Sequence, residues 1–305
     1  STATTLRALE REIAALLARG PKSWTDRGDV QYAIGRTYAD FGEAGFERAR
    51  EHYLRAIERE EDATRVPIKA IEQLANIEAR AGADAGDLAA IQRGGQRMRR
   101  LMQTVAAEPE GRRAATAERC ALIGGSYKRI AANLAQKKAT AGEMFDGKAF
   151  RAALDNARDW YKKGEGEPGK PGFTPYCALN RLMLDALLRG PDASGLARKA
   201  GEAARAKFRE SRDYWDAMMP ADARVAEAIF AGVLEDDAQA PRTIDALVGC
   251  YRQARSSLIE DARSWDSVVK QIVILAALAD ALERKVLAER LRGLASRLKP
   301  DGTRQ

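Results

Sequence analysis

The sole histidine of the 305-residue chain is His52, inside the stretch AREHYLRA. Any Ser-His-Asp or Cys-His nucleophile would have to use it as the base, and a multi-histidine metal site is excluded by the count. With Arg50, Glu51 and Arg55 around it, His52 reads as a helix-face residue, solvated or partly packed. Cys120, Cys177 and Cys250 stand far apart and show no Cys-x-x-Cys pairing. That spacing argues against a zinc ribbon or a disulfide framework and predicts the reducing cytosol. The carboxylate runs at 60–61 and 235–237 fall at expected helix ends, where they solvate loops rather than bind a cation. No Gly-x-x-x-x-Gly-Lys-[Ser/Thr] phosphate loop is present, and GEGEPGKPGF at 164–173 reads as an inter-repeat loop. The expectation is a chain with no cofactor, no metal and no catalytic activity of its own.

Charge is the other chemical resource. Lys and Arg number 51 against 44 Asp and Glu, a net charge of +7, and the pI is near 9.3. The basic runs RGGQRMRR at 93–100 and YKRIAANLAQKK at 127–138 could track phosphates. Aromatics are only 6% and none interleaves with the first run, so base stacking has little to work with. An acidic protein partner is therefore the first expectation and a nucleic-acid-responsive scaffold the alternative; solvated helix faces account for either run alone.

The elements that would position these residues are helices. Apolar residues recur at spacings of three and four, as in Leu6, Leu9, Ile13, Leu16 and Leu17. No segment alternates cleanly between apolar and polar residues within turn boundaries, so no sheet is expected. The longest apolar run, IVILAALA at 272–279, is well short of the roughly 20 residues of a membrane span. The first twenty residues lack the pattern of a secretory signal and read as an amphipathic helix ended by Gly20. A soluble, cytoplasmic protein without membrane contact is expected. Because the chain opens on Ser rather than Met, it is also expected to belong to a longer protein.

The chain repeats itself. Ile-Gly-x-x-Tyr occurs at 34–38 and 123–127, and AREHYLRA at 49–56 parallels ARDWYKKG at 157–164. Sliding the chain by 108 residues pairs Tyr53 with Tyr161, Pro67 with Pro175, Gly82 with Gly190 and Asp84 with Asp192. In all it aligns eleven identities over 44 positions, 46–89 on 154–197. The recurring punctuation weighs more than the count: a proline at a helix entrance and Gly-x-Asp-Ala at a helix junction have local geometric causes. The two glycines of the Ile-Gly pairs are only 89 apart, so the second copy carries 19 extra residues, expected as a loop or helix extension near 136–149.

This register predicts an all-α chain: an α-solenoid of tetratricopeptide-like helical hairpins with about thirteen helices. Residues 1–20 form a capping helix. The first four-helix copy covers 29–107 (helices near 29–42, 46–60, 66–82 and 86–107). The second covers 118–218 (near 118–138, 148–165, 174–190 and 193–218), and C-terminal helices fill 221–298 (near 221–234, 242–259, 264–283 and 286–298). Within a pair, the glycine admits the partner helix closely while Tyr and Ala interlock as large and small neighbours. The loop joining the first pair is expected to hold about two residues.

ERCALIGGSYKRIAA, ARDWYKKGEGEP with PYCALNRLMLDALLRG, and DYWDAMMPADARVAEAIFAG resemble a more specific family. It is the bacterial tetratricopeptide family related to the TRAFs-binding, central regulatory region of apoptosis signal-regulating kinases. With DSVVKQIVILAAL the resemblance spreads over most of 29–280. It implies a regulatory scaffold fused to, or encoded beside, an effector such as a caspase-like CHAT peptidase. The chain itself carries no effector motif.

Repeat packing then says which residues face the inner surface. With Gly35, Ala75, Gly124 and Met183 equivalent, the groove positions are Arg36, Asp40, Asn76, Arg80, Lys128 and Arg129, with Glu72 and Asn180 one turn earlier. A protein or peptide, including an effector domain of the same polypeptide or operon, is the expected occupant. Lys128 and Arg129 are expected to receive its acidic residues, so that reversing both to Glu weakens the partner and leaves the fold intact.

Overall fold

The computed structural model describes residues 2–58, 66–106, 116–140, 145–257 and 262–299. Among them are thirteen α-helices and no strand. The chain divides into two compact units, 1–114 and 115–305. The first contains α1 (Thr2–Arg19), α2 (Gly28–Ala39), α3 (Phe46–Glu58), α4 (Val66–Ala85) and α5 (Leu88–Ala106). The second contains α6 (Ala117–Thr140), α7 (Gly147–Glu165), α8 (Pro175–Leu187), α9 (Ser194–Ser211), α10 (Tyr214–Phe230), α11 (Ala240–Ser256), α12 (Ala262–Ala281) and α13 (Lys285–Leu298). This is an all-α, tetratricopeptide-like architecture of helical hairpins.

Each unit begins from the same close approach. A Cβ built on Gly35 of α2 would lie 2.8 Å from the ring of Tyr53 on α3, and one on Gly124 of α6 would lie 3.1 Å from the ring of Tyr161 on α7. Both tyrosines are fully buried. Their hydroxyls have no hydrogen-bond partner among the described residues, so it is the ring, filling the space the glycine leaves, that holds the pair together.

The 19-residue excess of the second copy lies within this hairpin. From the glycine, α2 continues four residues and α6 sixteen; before the tyrosine, α3 runs seven residues and α7 fourteen. Six residues separate the two helices in each case, 40–45 and 141–146. The excess therefore lengthens both arms of an antiparallel pair, and the added turns are zipped by Ala131, Ala132 and Ala135 of α6 with Phe150, Ala153 and Leu154 of α7. Residues 141–144 lie outside the described residues. In the first hairpin, the six-residue loop replaces the expected two. It is built as a 3-10 turn, Gly42–Gly45, with Gly42 at positive φ and Gly45 so close to the Tyr38 carbonyl that no Cβ fits.

Two boundaries differ from the sequence expectation. The helix expected over 193–218 is broken. Arg212 is left-handed (φ 52°), and Asp213 caps α10 by accepting from the backbone N–H groups of Trp215 and Asp216. The buried Asp216 carboxylate secures the turn, accepting from Ser211 Oγ at 2.7 Å and Lys207 Nζ at 3.0 Å. Pro220, expected just ahead of a helix at 221–234, sits inside α10. The second difference is at Gly-x-Asp-Ala. In the first unit α4 runs through Gly82 to Ala85 and ends at Gly86, whose φ is 70°. In the second, Pro191 stands in the register position of Ala83. A proline there would collide with the carbonyl four residues back, and α8 accordingly stops at Leu187.

The clamp makes a prediction. Gly35→Ala should destabilise the protein by about 2 kcal/mol, because a buried ring must move, whereas Tyr53→Phe should stay within about 0.5 kcal/mol. Denaturant midpoints of the two variants check this, and the reverse ranking would show that the hydroxyl and not the ring matters.

Candidate protein-binding site

In the first unit, α2 and α4 lie side by side and carry five of the expected inner-face residues. Arg36 and Asp40 are exposed, and Asn76 and Arg80 are half-buried. The Arg80 guanidinium lies 5.3 Å from the centre of the Phe46 ring, which fixes its stem while leaving its edge to solvent. Glu72 is different: it is 2% exposed and pairs with Lys69 at 2.9 Å. It belongs to the packing of α4 rather than to an open surface.

In the second unit, the corresponding residues meet α12. Lys128 of α6 is buried and donates to Asn180 Oδ1 of α8 at 2.6 Å and to Gln271 Oε1 of α12 at 2.9 Å. Asn180 is buried as well and donates through Nδ2 to the carbonyl of Tyr176. Gln271 also reaches the Met183 sulfur at 4.0 Å. The face of α6 and α8 expected to await a partner is thus covered by a helix of the same chain. Only Arg129 of the second-unit set keeps partial exposure.

The seam is polar but short of countercharge. Burial lowers the Lys128 pKa to about 7, aided by the nearby Arg129 and opposed by Asp222. Burial raises that of Asp222 to about 6, opposed by the Tyr251 hydroxyl at 2.5 Å and by Lys128. Lys128 is held by carboxamide dipoles rather than by an ion pair. A few hydrogen bonds therefore set the register of α12, while its apolar residues supply the burial: Val268, Val269, Ile272, Leu275 and Leu278 are all buried.

Of the two readings the sequence left for His52, the packed one holds: it is buried. Its Nδ1 lies 2.7 Å from Gln31 Oε1 and its ring stacks on Tyr38 at 5.4 Å. Gln31 in turn donates through Nε2 to the carbonyl of Thr25, so its Oε1 faces His52 and Nδ1 carries the proton. Desolvation lowers its pKa to about 4. Among the described residues no group of three or more His, Cys, Asp or Glu could hold a metal ion, and no helix is long and apolar enough to cross a membrane.

Lys128 and Asn180, expected on an open face, bond to each other and lie under α12, a covering that sequence reasoning missed. One signal was present: the 272–279 run is apolar almost all round its helix, the pattern of an element buried on more than one side.

Two outcomes follow. Lys128→Glu should lower stability by about 3 kcal/mol or more, because an unpaired carboxylate would face two carboxamide oxygens and Asp222, while Arg129→Glu should change it by about 0.5 kcal/mol; urea midpoints separate the two. For His52 the native pKa lies below the unfolded value near 6.5, so its contribution is complete above that pH and declines as pH falls toward 4. Going from pH 7 to 4.5 should cost about 2 kcal/mol more in the protein than in His52→Gln. Parallel pH profiles would remove the histidine from the account.

The model of a known family described as Tetratricopeptide Repeats-Sensor matches residues 45–185, from the start of α3 to the end of α8. No curated protein matches the chain, and no solved structure does. The matched span contains the Gly124–Tyr161 hairpin and the α6 and α8 residues that α12 covers, and over it the chain is similar to that family of tetratricopeptide-type repeats.

Proposed function

We propose that this chain is a protein–protein interaction scaffold that regulates an effector, either a further domain of the same polypeptide or a bound partner, and does no chemistry itself. The observation that carries the reading is the pairing of tetratricopeptide-type hairpins with a polar face on α2 and α4 that carries Arg36 and Asp40 exposed and Asn76 and Arg80 half-buried. Repeats of this type commonly bind protein segments. The effector class implied by the family resemblance is a caspase-like peptidase of a bacterial signalling or defence system.

Regulation by such a scaffold is a population shift. A partner that prefers one arrangement of the stacked hairpins moves whatever is attached to them, by no more free energy than its preference between the two arrangements. With α12 over the face of α6 and α8, this reading takes the α2 and α4 face as the binding surface, its mixed charge setting on-rate and specificity.

The test assays the purified chain for peptidase, nuclease and nucleotide hydrolysis, alone and with effectors encoded beside it. The expected result is no turnover alone, together with an effector whose activity changes on binding and whose affinity falls about tenfold in Arg36→Glu/Arg80→Glu. Turnover by the isolated chain that one substitution abolishes would overturn the proposal; so would salt-dependent binding of generic RNA with no protein partner.

A further inference from the structure

With Gly35 of α2 set on Gly124 of α6, 89 residues on, the charges beside the two clamp tyrosines differ. In the first unit Arg36 and Asp40 act on the Tyr53 hydroxyl with opposite sign. In the second their places are taken by Gly125 and Arg129, and Ala39 gives way to Lys128. An offsetting pair becomes two cations. Arg129 has no carboxylate partner among the described residues, and Lys128, 5.8 Å from the centre of the Tyr161 ring, is bonded to carboxamides. Asp222 is the carboxylate that acts on Lys128, and it is engaged by the Tyr251 hydroxyl at 2.5 Å.

Gly125 is not explained by helix packing. Gly124 makes room for the Tyr161 ring, but a Cβ on Gly125 would meet Arg129 Nη1 at 3.1 Å and the Tyr161 hydroxyl at an ordinary 3.6 Å. In the middle of a helix glycine is disfavoured against alanine by its backbone freedom. What it permits is that the Arg129 side chain folds back one turn along α6, so that its guanidinium and the Tyr161 hydroxyl lie against the same bare stretch of helix. That hydroxyl is fully buried and has no hydrogen-bond partner among the described residues. Burial, reinforced by Tyr176 and opposed by Arg129, holds its pKa well above the ordinary value, so it keeps its proton as a donor without an acceptor. Arg129 is half-buried and Tyr176 of α8 is 40% exposed, so solvent reaches the spot past them.

We propose that the Gly125 notch of α6 binds a small anion through one carboxylate or phosphate group, held between the Arg129 guanidinium and the Tyr161 hydroxyl with the Lys128 amine beside them. The guanidinium offers a fork to two oxygens, and the buried hydroxyl gains the acceptor that the protein does not give it. Arg129 and Lys128 against Asp222 leave one net positive charge, which a single oxyanion group neutralises. A nucleic-acid backbone, by contrast, calls for a row of such sites. Because Lys128 also donates to Gln271, the site adjoins the α12 seam, and a bound anion strengthens that seam rather than opening it. The site goes beyond the scaffold reading and does not depend on it.

The experiment titrates the full chain with sodium acetate and, separately, with inorganic phosphate, chloride holding the ionic strength constant, and follows the amide shifts of α6 and α7 by nuclear magnetic resonance. Shifts around Gly125 should saturate with at least one of the two anions, and the one that saturates at lower concentration identifies the group. Affinity should fall about tenfold in Arg129→Gln and about fivefold in Tyr161→Phe, and be unchanged in Tyr53→Phe, the same change in the first unit. Gly125→Ala should weaken binding without lowering the thermal midpoint, a combination that a glycine kept for packing would not give. Should Tyr161→Phe fail to fold, Arg129→Gln and Gly125→Ala carry the test. Shifts that grow linearly with both anions, unchanged affinity in Arg129→Gln or in a folded Tyr161→Phe, or a Gly125→Ala protein that is destabilised yet binds as before would each overturn the site. None of these results bears on the α2 and α4 face.

Discussion

The fold depends on how closely two helices can approach where one presents a glycine and the other a tyrosine. At Gly35 with Tyr53 and at Gly124 with Tyr161, a flat ring lies in the notch where a Cβ would be. This contact sets the distance between the arms of each leading hairpin, and with it which residues point inward and which point outward. Because the contact sits at one point along the pair, the arms can lengthen beyond it. The second hairpin does so, adding helix to both arms with six residues between them, as in the first. An insertion that would disrupt a globular core is absorbed here as extra length, as expected of architectures whose units touch mainly their neighbours.

From that geometry follow the two surfaces that matter. The α2 and α4 face of the first unit keeps Arg36 and Asp40 exposed and Asn76 and Arg80 half-buried, whereas the equivalent face of the second unit meets α12. Lys128 shows what the covering costs: an amine is buried against two carboxamides with no carboxylate bonded to it, and burial disfavours its charged form. Such a group contributes little net stability, since desolvation offsets most of the gain, but it disfavours any other register of α12. The apolar side chains of α12 supply the attachment and the polar seam its position.

Much of this was legible in the sequence, and the parts that were not share a physical cause. The helices came from apolar spacing, and the repeat came from residues with local geometric roles, glycine, proline and tyrosine. What escaped was decided by competition or by distant contacts. Asp213 could be read as the interior of a long helix until the backbone turned left-handed at Arg212. Gly-x-Asp-Ala occurs in both copies, yet Pro191 ends α8 early where the first copy continues. The charged sequence neighbours of His52 left solvated and partly packed readings both open, and Gln31 and Tyr38 of another helix decide for packing. Lys128 and Gln271 lie 143 positions apart, and no local pattern announces that they meet.

The central claim is that the chain acts by binding through the polar face of its first unit while the inner face of its second unit stays closed by α12. Hydrogen exchange of the full chain with and without its effector tests this most directly. The account predicts new protection on α2 and α4, with the slow exchange of α12 unchanged, since the helices under it are not vacated. Loss of protection in α12 on binding, with α2 and α4 unaffected, would contradict it and would show that the partner displaces the helix and takes the place beside Lys128.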